Sequence, residues 1–223
     1  MVGICVVWGT SFAIVKSSVG DINPATFIAV RFAIASIIIW LIAGPRMKKL
    51  DRSTWTAGLF LAAPLVAGFL TQTHGLKVTT ASKAGFITGM HVVFTPFLEY
   101  AFRRTKVLPH QAVGVAVAVA GLAMLTVRGL GRPSAGDLLV LACAFAFGLH
   151  IVLLGRYSPR NDGFLLSFTQ MVWSTLLAAL IAGRDMAQAA SFTPDVAWSV
   201  LYLGATGTAL AYLVQTIAQK YTS

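Results

Sequence analysis

Charge is scarce in this sequence. Only 11% of its 223 residues are charged and only seven are acidic, whereas 57% are hydrophobic. A soluble domain carries about 25% charged residues, so this composition cannot build a surface that faces water. Soluble enzymes, disordered chains and disulfide scaffolds are therefore excluded, and a polytopic membrane protein remains.

Cysteine and catalytic motifs are also scarce. Cys5 and Cys143 stand alone inside apolar segments, which predicts two buried small side chains and no disulfide framework. The sequence contains no HExxH, GxSxG or Gly-Lys-Ser/Thr motif. It therefore predicts a protein that is not an enzyme and that has no catalytic residues, no metal and no cofactor.

Long apolar runs dominate what is present. Turn residues such as Asn23-Pro24 and Gly44-Pro45 separate them. A transmembrane strand alternates over about 10 residues, whereas these runs are continuous and about twice as long. The sequence predicts an all-α membrane protein in the lipid bilayer with eight transmembrane helices, at about 1–16, 24–44, 55–74, 82–102, 108–127, 137–155, 163–183 and 196–219.

The net charge of +10 comes from basic residues placed between the apolar runs. Such small clusters encode orientation in lipid and do not form the continuous stripe that nucleic acid requires, so no nucleic-acid partner is expected. Ten Lys and Arg residues follow helices 2, 4 and 6 or the C-terminal end, against six on the other side. The positive-inside rule therefore predicts that both ends of the chain are cytoplasmic.

The sequence also resembles itself. At an offset of 143, Leu70–Thr73 falls on Leu213–Thr216; at an offset of 139, Ile42–Gly44 falls on Ile181–Gly183. Five helices separate equivalent points, and an odd number inverts the second unit in the membrane. Chance matching of apolar runs is the alternative. A true repeat predicts a ten-helix plan of two inverted five-helix repeats, in which the second unit here lacks two helices.

Several short motifs resemble the EamA domain of the drug/metabolite transporter superfamily. They are Trp8–Phe12 followed by Pro24 and Arg31–Ala33, Thr80–Phe86, Gly136–Leu139, and Ala205–Tyr212. With the repeat, this resemblance implies a first EamA repeat at 1–127, a linker at 128–136 and an incomplete second repeat at 137–223. Arg103–Lys106 departs from the family, whose members often carry an acidic residue there.

The resemblance implies a secondary transporter in a bacterial inner membrane. Its substrate would be a small organic metabolite, an amino acid or a related compound, moved by alternating access in the direction of export. A truncated membrane protein or assembly module without transport activity is the alternative. A membrane-embedded enzyme would need acids, histidines or a nucleophile clustered at one depth, and the sequence offers no such cluster.

Polar side chains inside spans are costly, so each is a candidate for function. Arg31 has two interpretations: it holds a carboxylate or phosphate in the pathway, or it reaches backbone carbonyls as a structural residue. Its repeat position is Gln170, which is also polar. Gln72 and Gln215 occupy matching points of helices 3 and 8, and the inversion predicts that they lie towards opposite faces as polar gates. An interhelical hydrogen bond is the alternative for these amides.

The remaining candidates are aromatic or titratable. His91 and His150 are interpreted as core histidines or cavity lining, and Trp8 and Tyr212 as cavity lining or packing residues. Glu99 is interpreted as a partner of Arg103, with a role in proton coupling as the alternative. The candidate substrate-binding set is Trp8, Arg31, Gln72, His91, His150, Gln170, Tyr212 and Gln215.

Overall fold

A computed structural model describes residues 2–20, 22–104, 109–127 and 134–221, and the regular structure of these ranges is helical. We number the helices α1 to α8 in chain order. They are α1 Val2–Val19, α2 Pro24–Ala43, α3 Arg52–Val78, α4 in two parts (Ala81–Gly89 and His91–Arg103), α5 Pro109–Val127, α6 Ala135–Tyr157, α7 Gly163–Ala182 and α8 Pro194–Gln219. Each helix coincides with one of the eight predicted apolar runs.

Five helical regions of the described chain are long and apolar enough to cross a membrane. They are Pro24–Lys49, Arg52–Val78, Ala135–Arg160, Gly163–Ser191 and Pro194–Gln219. The stretches Val6–Val19 of α1 and Ala112–Gly121 of α5 are apolar but shorter, and α4 is divided at Met90. The predicted all-α membrane class is therefore confirmed, while the full set of eight spans and the ten-helix plan stay predictions.

Six of the helices, α2, α3, α4, α6, α7 and α8, begin where the sequence supplies a capping side chain. Ser134 and Asp137 form a reciprocal capping box at the start of α6. At Asp51 the hydrogen bonds from Thr54 lower the pKa of the capping carboxyl. Side chains that accept a backbone hydrogen bond at the other starts are Asn23, Thr80, Asp162 and Thr193.

Helices α2 and α7 have matching ends. Asn23 and Asp162 cap their starts, and both helices end at a glycine in the left-handed region, Gly44 at φ 49° and Gly183 at φ 54°. A side chain is rarely accommodated at such φ values, which explains glycine at both positions. Both pairs are separated by 139 residues, the offset at which the sequence resembles itself.

The same two helices pack against each other in opposite directions. At the start of α2, the Thr26 hydroxyl donates to the Asp185 carbonyl beyond the end of α7, at 2.9 Å. At the other end, the Arg46 guanidinium lies 4.3 Å from the centre of the Phe164 ring. Because both ends are tied, α2 and α7 form an antiparallel pair at the centre of the bundle.

Helix α3 crosses two neighbours at glycines. A Cβ at Gly75 would lie 2.8 Å from the Gly136 carbonyl oxygen of α6, and one at Gly58 would lie 2.4 Å from the Thr169 hydroxyl of α7. Small residues let helix backbones approach where lipid provides no hydrophobic drive for association. Glycine at these crossings therefore sets the position of α3.

The bundle has two polar faces, which we call the Lys16 face and the Lys48 face. The Lys16 face holds the ends of α1, α3 and α7, because the Lys16 ammonium donates to carbonyls at the end of α3 and Asp185 meets the start of α2. The Lys48 face holds the ends of α2, α6 and α8, since Tyr157 stacks on Phe60 and Ile217 approaches Gly163.

The main core lies between α2, α3, α7 and α8. Its fully buried members include Phe32, Ile39, Leu65 and Met171. Large apolar side chains also cover the outside of the helices: Leu180 is 79% exposed and Trp198 is 69% exposed. Such exposure suits contact with lipid and not with water.

Three earlier predictions fall partly outside the described residues. The linker at 128–136 includes the undescribed residues 128–133, and α6 begins at Ala135, within the predicted linker. The side chains of Arg103 and Cys5 are also outside the described set, so the Glu99–Arg103 pair and the burial of Cys5 stay predictions. Cys143 is buried and free of disulfide, as predicted.

Candidate functional site

Arg31 lies buried in α2, with 3% of its surface exposed. Its Nε donates to the Thr208 hydroxyl at 2.6 Å, and its guanidinium carbon lies 4.7 Å from the centre of the Phe69 ring. Among the described residues, its two Nη atoms have no hydrogen-bond partner and no carboxylate lies within ion-pair distance. Arg31 is thus a buried cation with most of its donors free.

The partner of Arg31 lies on an irregular stretch of α8. Residues Leu203–Leu210 form a π-helix, in which the Thr208 hydroxyl donates to the Leu203 carbonyl five residues back. The Gly207 carbonyl in the same stretch accepts from the Trp8 indole at 3.0 Å. Single-turn π-bulges frequently occur at functional sites. Here the π-helix presents one hydroxyl to α2 and one carbonyl to α1.

Aromatic rings surround this polar contact. The Tyr212 ring lies 5.9 Å from Trp8, 6.1 Å from Phe69 and 5.7 Å from His150, measured between centroids. Each of these four rings comes from a different helix. Tyr212 therefore connects α1, α3 and α6 to α8 beside Arg31.

A buried hydrogen-bond chain continues from His150. The Gln170 amide nitrogen donates to the Thr216 hydroxyl at 3.1 Å, and its oxygen lies 2.9 Å from His150 Nε2. Because that oxygen can only accept, His150 Nε2 carries a proton and donates. His150 and Gln170 are 2% and 0% exposed. The chain links α6, α7 and α8.

We call these side chains the Arg31 cluster: Trp8, Arg31, Phe69, His150, Gln170, Thr208, Tyr212 and Thr216. Five of the eight predicted site residues belong to it, namely Trp8, Arg31, His150, Gln170 and Tyr212. The prediction missed Thr208 and Thr216, although the spacing of 208, 212 and 216 places them on one stripe of α8. Nothing in the sequence distinguished Phe69, because phenylalanine is common in transmembrane helices.

Gln72 and Gln215 lie away from Arg31, towards opposite ends of the bundle. The Gln72 amide nitrogen donates to the Thr88 hydroxyl at 3.3 Å, and it lies on the Lys16 side of α3. Gln215 lies near the Lys48 end of α8, and its amide oxygen is buried without a hydrogen-bond partner among the described residues.

His91 lies on the outer side of the bundle. Its Nδ1 is 2.8 Å from the Thr88 carbonyl of its own helix. It lines an apolar cleft of about 330 Å³ with Pro96, Gly114 and Ile151. His91 therefore shares no hydrogen bond with the Arg31 cluster.

A second polar group closes the Lys16 face. The Lys16 ammonium donates to the carbonyls of Leu76 at 2.5 Å and Thr79 at 2.9 Å, which lie at the C-terminal end of α3. The Lys83 ammonium pairs with the Asp137 carboxylate at 3.2 Å, and the Thr79 hydroxyl also donates to Asp137. These contacts join α1, α3, α4 and α6 at one end of the bundle.

The described residues offer no group of three or more His, Cys, Asp or Glu side chains that could hold a metal ion. The polar chemistry of the site is thus that of an arginine, an amide, hydroxyls and an imidazole. Side chains of these types can hold a polar ligand by hydrogen bonds and charge.

The fold and this buried polar centre define a helical integral membrane protein. Residues 1–127 match the EamA-like transporter family, and the chain belongs to that family. The predicted family is confirmed, and it is consistent with the drug/metabolite transporter superfamily.

Two relatives of the chain are named as transporters. An uncharacterized transporter of Archaeoglobus fulgidus is 31% identical over 179 residues, which are 80% of this chain and 55% of that protein. The uncharacterized transporter YvbV of Bacillus subtilis is 24% identical over 217 residues, 95% of this chain and 71% of that protein. The chain thus spans about half the length of the first relative and nearly three quarters of the second.

A solved structure shows the same fold. The crystal structure of another protein superposes on this chain with a TM-score of 0.66 at 22% identity. The superposition covers 97% of this chain and 76% of that one. At this identity the likeness concerns the fold alone.

Proposed function

We propose that this protein is a secondary transporter that exports a small organic metabolite, an amino acid or a related compound, by alternating access. The observation that carries the proposal is the Arg31 cluster, in which six helices place polar and aromatic side chains inside an apolar bundle. Polar groups at membrane depth are costly and mark substrate pathways.

The depth of the cluster supports this function. Arg31 lies seven residues after Pro24, which begins α2 at the Lys16 face, and Gln170 lies seven residues after Gly163, which begins α7 at the Lys48 face. At 1.5 Å per residue each is about 10 Å from its own face. A substrate held between them would be near the bilayer midplane, where transporter sites are typically found.

Matched local features support two inverted units, at 1–127 and 137–223. Besides the similar ends of α2 and α7, Pro64 lies inside α3 at the position that corresponds to Gly207 in the π-helix of α8. Both features break the regular hydrogen bonding of their helix at equivalent points. Discontinuous helices at the repeat interface are a common feature of transporter sites.

We assign roles along one path. Trp8, Arg31, His150, Gln170 and Tyr212 would contact substrate at the centre. Gln72 would lie above them towards the Lys16 face and Gln215 below them towards the Lys48 face. His91 stays outside this path, because it faces the cleft beside α5.

The orientation follows from the basic residues. The loop after α2 carries Arg46, Lys48 and Lys49, so the Lys48 face and both chain ends would be cytoplasmic in a bacterial inner membrane. The Lys16 face would be external, and the closed Lys83–Asp137 group would then lie at the exit.

Efflux from proteoliposomes tests the function. Vesicles that contain the protein and a mixture of radiolabelled amino acids should lose label faster than protein-free vesicles. Gly207→Leu should slow this efflux, because even a Cβ at Gly207 lies 3.2 Å from Arg31 Nη2 and a larger side chain would fill the space beside the guanidinium.

The matched control is Gly114→Leu, at an exposed glycine with no neighbouring atom within 4 Å of an added Cβ. It should leave efflux unchanged. The proposed function would be refuted if vesicles with the wild-type protein retained label as well as protein-free vesicles do. If the two substitutions slowed efflux equally, the Arg31 cluster would not be part of the transport path.

A further inference from the structure

We propose that Arg31 binds a carboxylate group of the transported molecule through its two Nη atoms. The inference rests on the proposed function and specifies its substrate class, namely organic molecules with a free carboxylate. It is carried by three features that meet at one point: a buried guanidinium without a counter-charge, a free donor edge, and a glycine, Gly207, whose missing side chain leaves that edge uncovered by α8.

The charge of Arg31 is the first step. Arginine stays protonated in proteins, so the site contains a permanent cation. The structure provides one hydroxyl and one ring face to it but no anion among the described residues. A buried charge is stable only when it is paired, so a ligand with a negative charge completes this site.

The geometry of the guanidinium is the second step. Phe69 covers the plane of the group and Thr208 takes the Nε hydrogen, which leaves the four hydrogens of Nη1 and Nη2 unpaired among the described residues. Two parallel N–H donors fit the two oxygens of a carboxylate. Gly207 lacks the Cβ that would lie 3.2 Å from Nη2, so no side chain at this position crowds that nitrogen.

The surroundings favour a singly charged group. No second cation is bonded or stacked within the Arg31 cluster, and His150 already donates its Nε2 hydrogen to Gln170. A phosphate dianion would need more positive charge than one arginine supplies, whereas one carboxylate balances it. The rings of Trp8 and Tyr212 beside the guanidinium add contact area for an apolar body next to the carboxylate.

Three matched probes test the inference on the full chain purified in detergent. They are L-phenylalanine, 3-phenylpropionate, which lacks the ammonium group, and L-phenylalaninamide, which lacks the carboxylate. Binding is measured as the rise of the thermal unfolding temperature with probe concentration, because a ligand stabilises the state it binds. We expect at least one carboxylate probe to raise this temperature and the amide to leave it unchanged.

Variants locate the contact. Arg31→Gln should weaken binding of the carboxylate probe by about 10- to 100-fold, the range for hydrogen bonds to a charged group. Arg31→Lys keeps the charge but loses the paired donors, so it should retain part of the affinity. Arg46→Gln, which removes an exposed arginine outside the cluster, should bind as the wild type does.

Each result of these experiments has a distinct interpretation. Binding of the amide as tight as that of the acids, unchanged binding in Arg31→Gln, or no response of the wild type to either acid would overturn the inference. A response to phenylpropionate alone would assign simple organic acids, and a response to phenylalanine would assign amino acids. Carboxylate binding at Arg31 without any efflux from vesicles would instead refute the proposed function and leave this inference standing.

Discussion

At the scale of single residues, burial of Arg31 lowers the stability of the ligand-free protein and is best explained by function. Burying a guanidinium removes its hydration, and the single hydrogen bond that Arg31 forms among the described residues does not fully compensate for that loss. A residue kept only for the fold would be expected to have its donors paired, as the Lys16 ammonium has with the end of α3. The free donors of Arg31 are therefore better explained by a ligand than by packing.

This imbalance predicts a gain of stability when the charge is removed. Arg31→Met should raise the free energy of unfolding of the ligand-free protein by about 1 kcal/mol or more, because replacing buried ionic groups by apolar ones is often stabilising by that order. Thermal unfolding in detergent measures the change. Arg46→Met, at an exposed cation–π contact on the Lys48 face, is the control and should change little.

A clear loss of stability in Arg31→Met would contradict this view. It would mean that the bond to Thr208 and the contact with Phe69 outweigh the cost of the buried charge. Arg31 would then be a structural link between α2 and α8.

The sequence predicted part of the cluster because polar groups in spans are rare and conspicuous. That rule singled out Arg31, His150 and Gln170, but it could not pair His150 with Gln170 or reveal Thr208. Those contacts depend on how α8 is rotated by its π-helix. The spacing of 208, 212 and 216 indicates a stripe of α8, but it does not indicate which helices that stripe contacts.

At the scale of helices, the packing of α3 depends on backbone contact. Gly136 of α6 and Gly75 of α3 approach so closely that a Cβ on either would lie under 3 Å from the other residue's carbonyl oxygen. A backbone oxygen cannot move aside as a flexible side chain can. The antiparallel contact of α3 with α6, which positions Phe69 and His150, is thus sensitive to a single methyl group.

Gly136→Ala should therefore destabilise the protein. We expect a loss of about 1–3 kcal/mol in the free energy of unfolding, typical of overpacking, measured by thermal unfolding in detergent. Gly9→Ala, in α1 with no atom within 4 Å of the added Cβ, is the matched control. It should be neutral or slightly stabilising, since alanine favours a helix over glycine. Equal stability of the two variants would show that α3 and α6 can separate at this crossing without cost.

The helices themselves were largely predictable, and their irregularities were not. Apolar runs and turn residues located all eight helices, because the bilayer imposes length and composition. The division of α4 at Met90 and the π-helix of α8 fall inside continuous apolar runs, where hydropathy does not distinguish one helical geometry from another. Neither Met90 nor Leu203–Leu210 carries a proline that would have predicted an interruption.

At the scale of the whole molecule, the antiparallel pair α2 and α7 gives the bundle its plan. The two helices share caps, terminal glycines and length, and they run in opposite directions through the centre. An inverted repeat predicts such a pair, because equivalent helices on the two sides of a pseudo-two-fold axis must be antiparallel. The loops at the ends of α2 and α7 should accordingly lie on opposite sides of the membrane.

Labelling on intact cells tests this arrangement and its orientation together. In a background with Cys5→Ala and Cys143→Ser, single cysteines are introduced by Lys48→Cys and Ala190→Cys, both at exposed positions beyond the ends of α2 and α7. A maleimide that cannot cross the membrane should modify position 190 in intact cells and position 48 only after permeabilisation, because the basic loop is retained in the cytoplasm. The reverse labelling pattern would reverse the orientation in the membrane but leave the inverted-repeat arrangement intact. Labelling of both positions from outside would contradict the conclusion that α2 and α7 span the membrane in opposite directions.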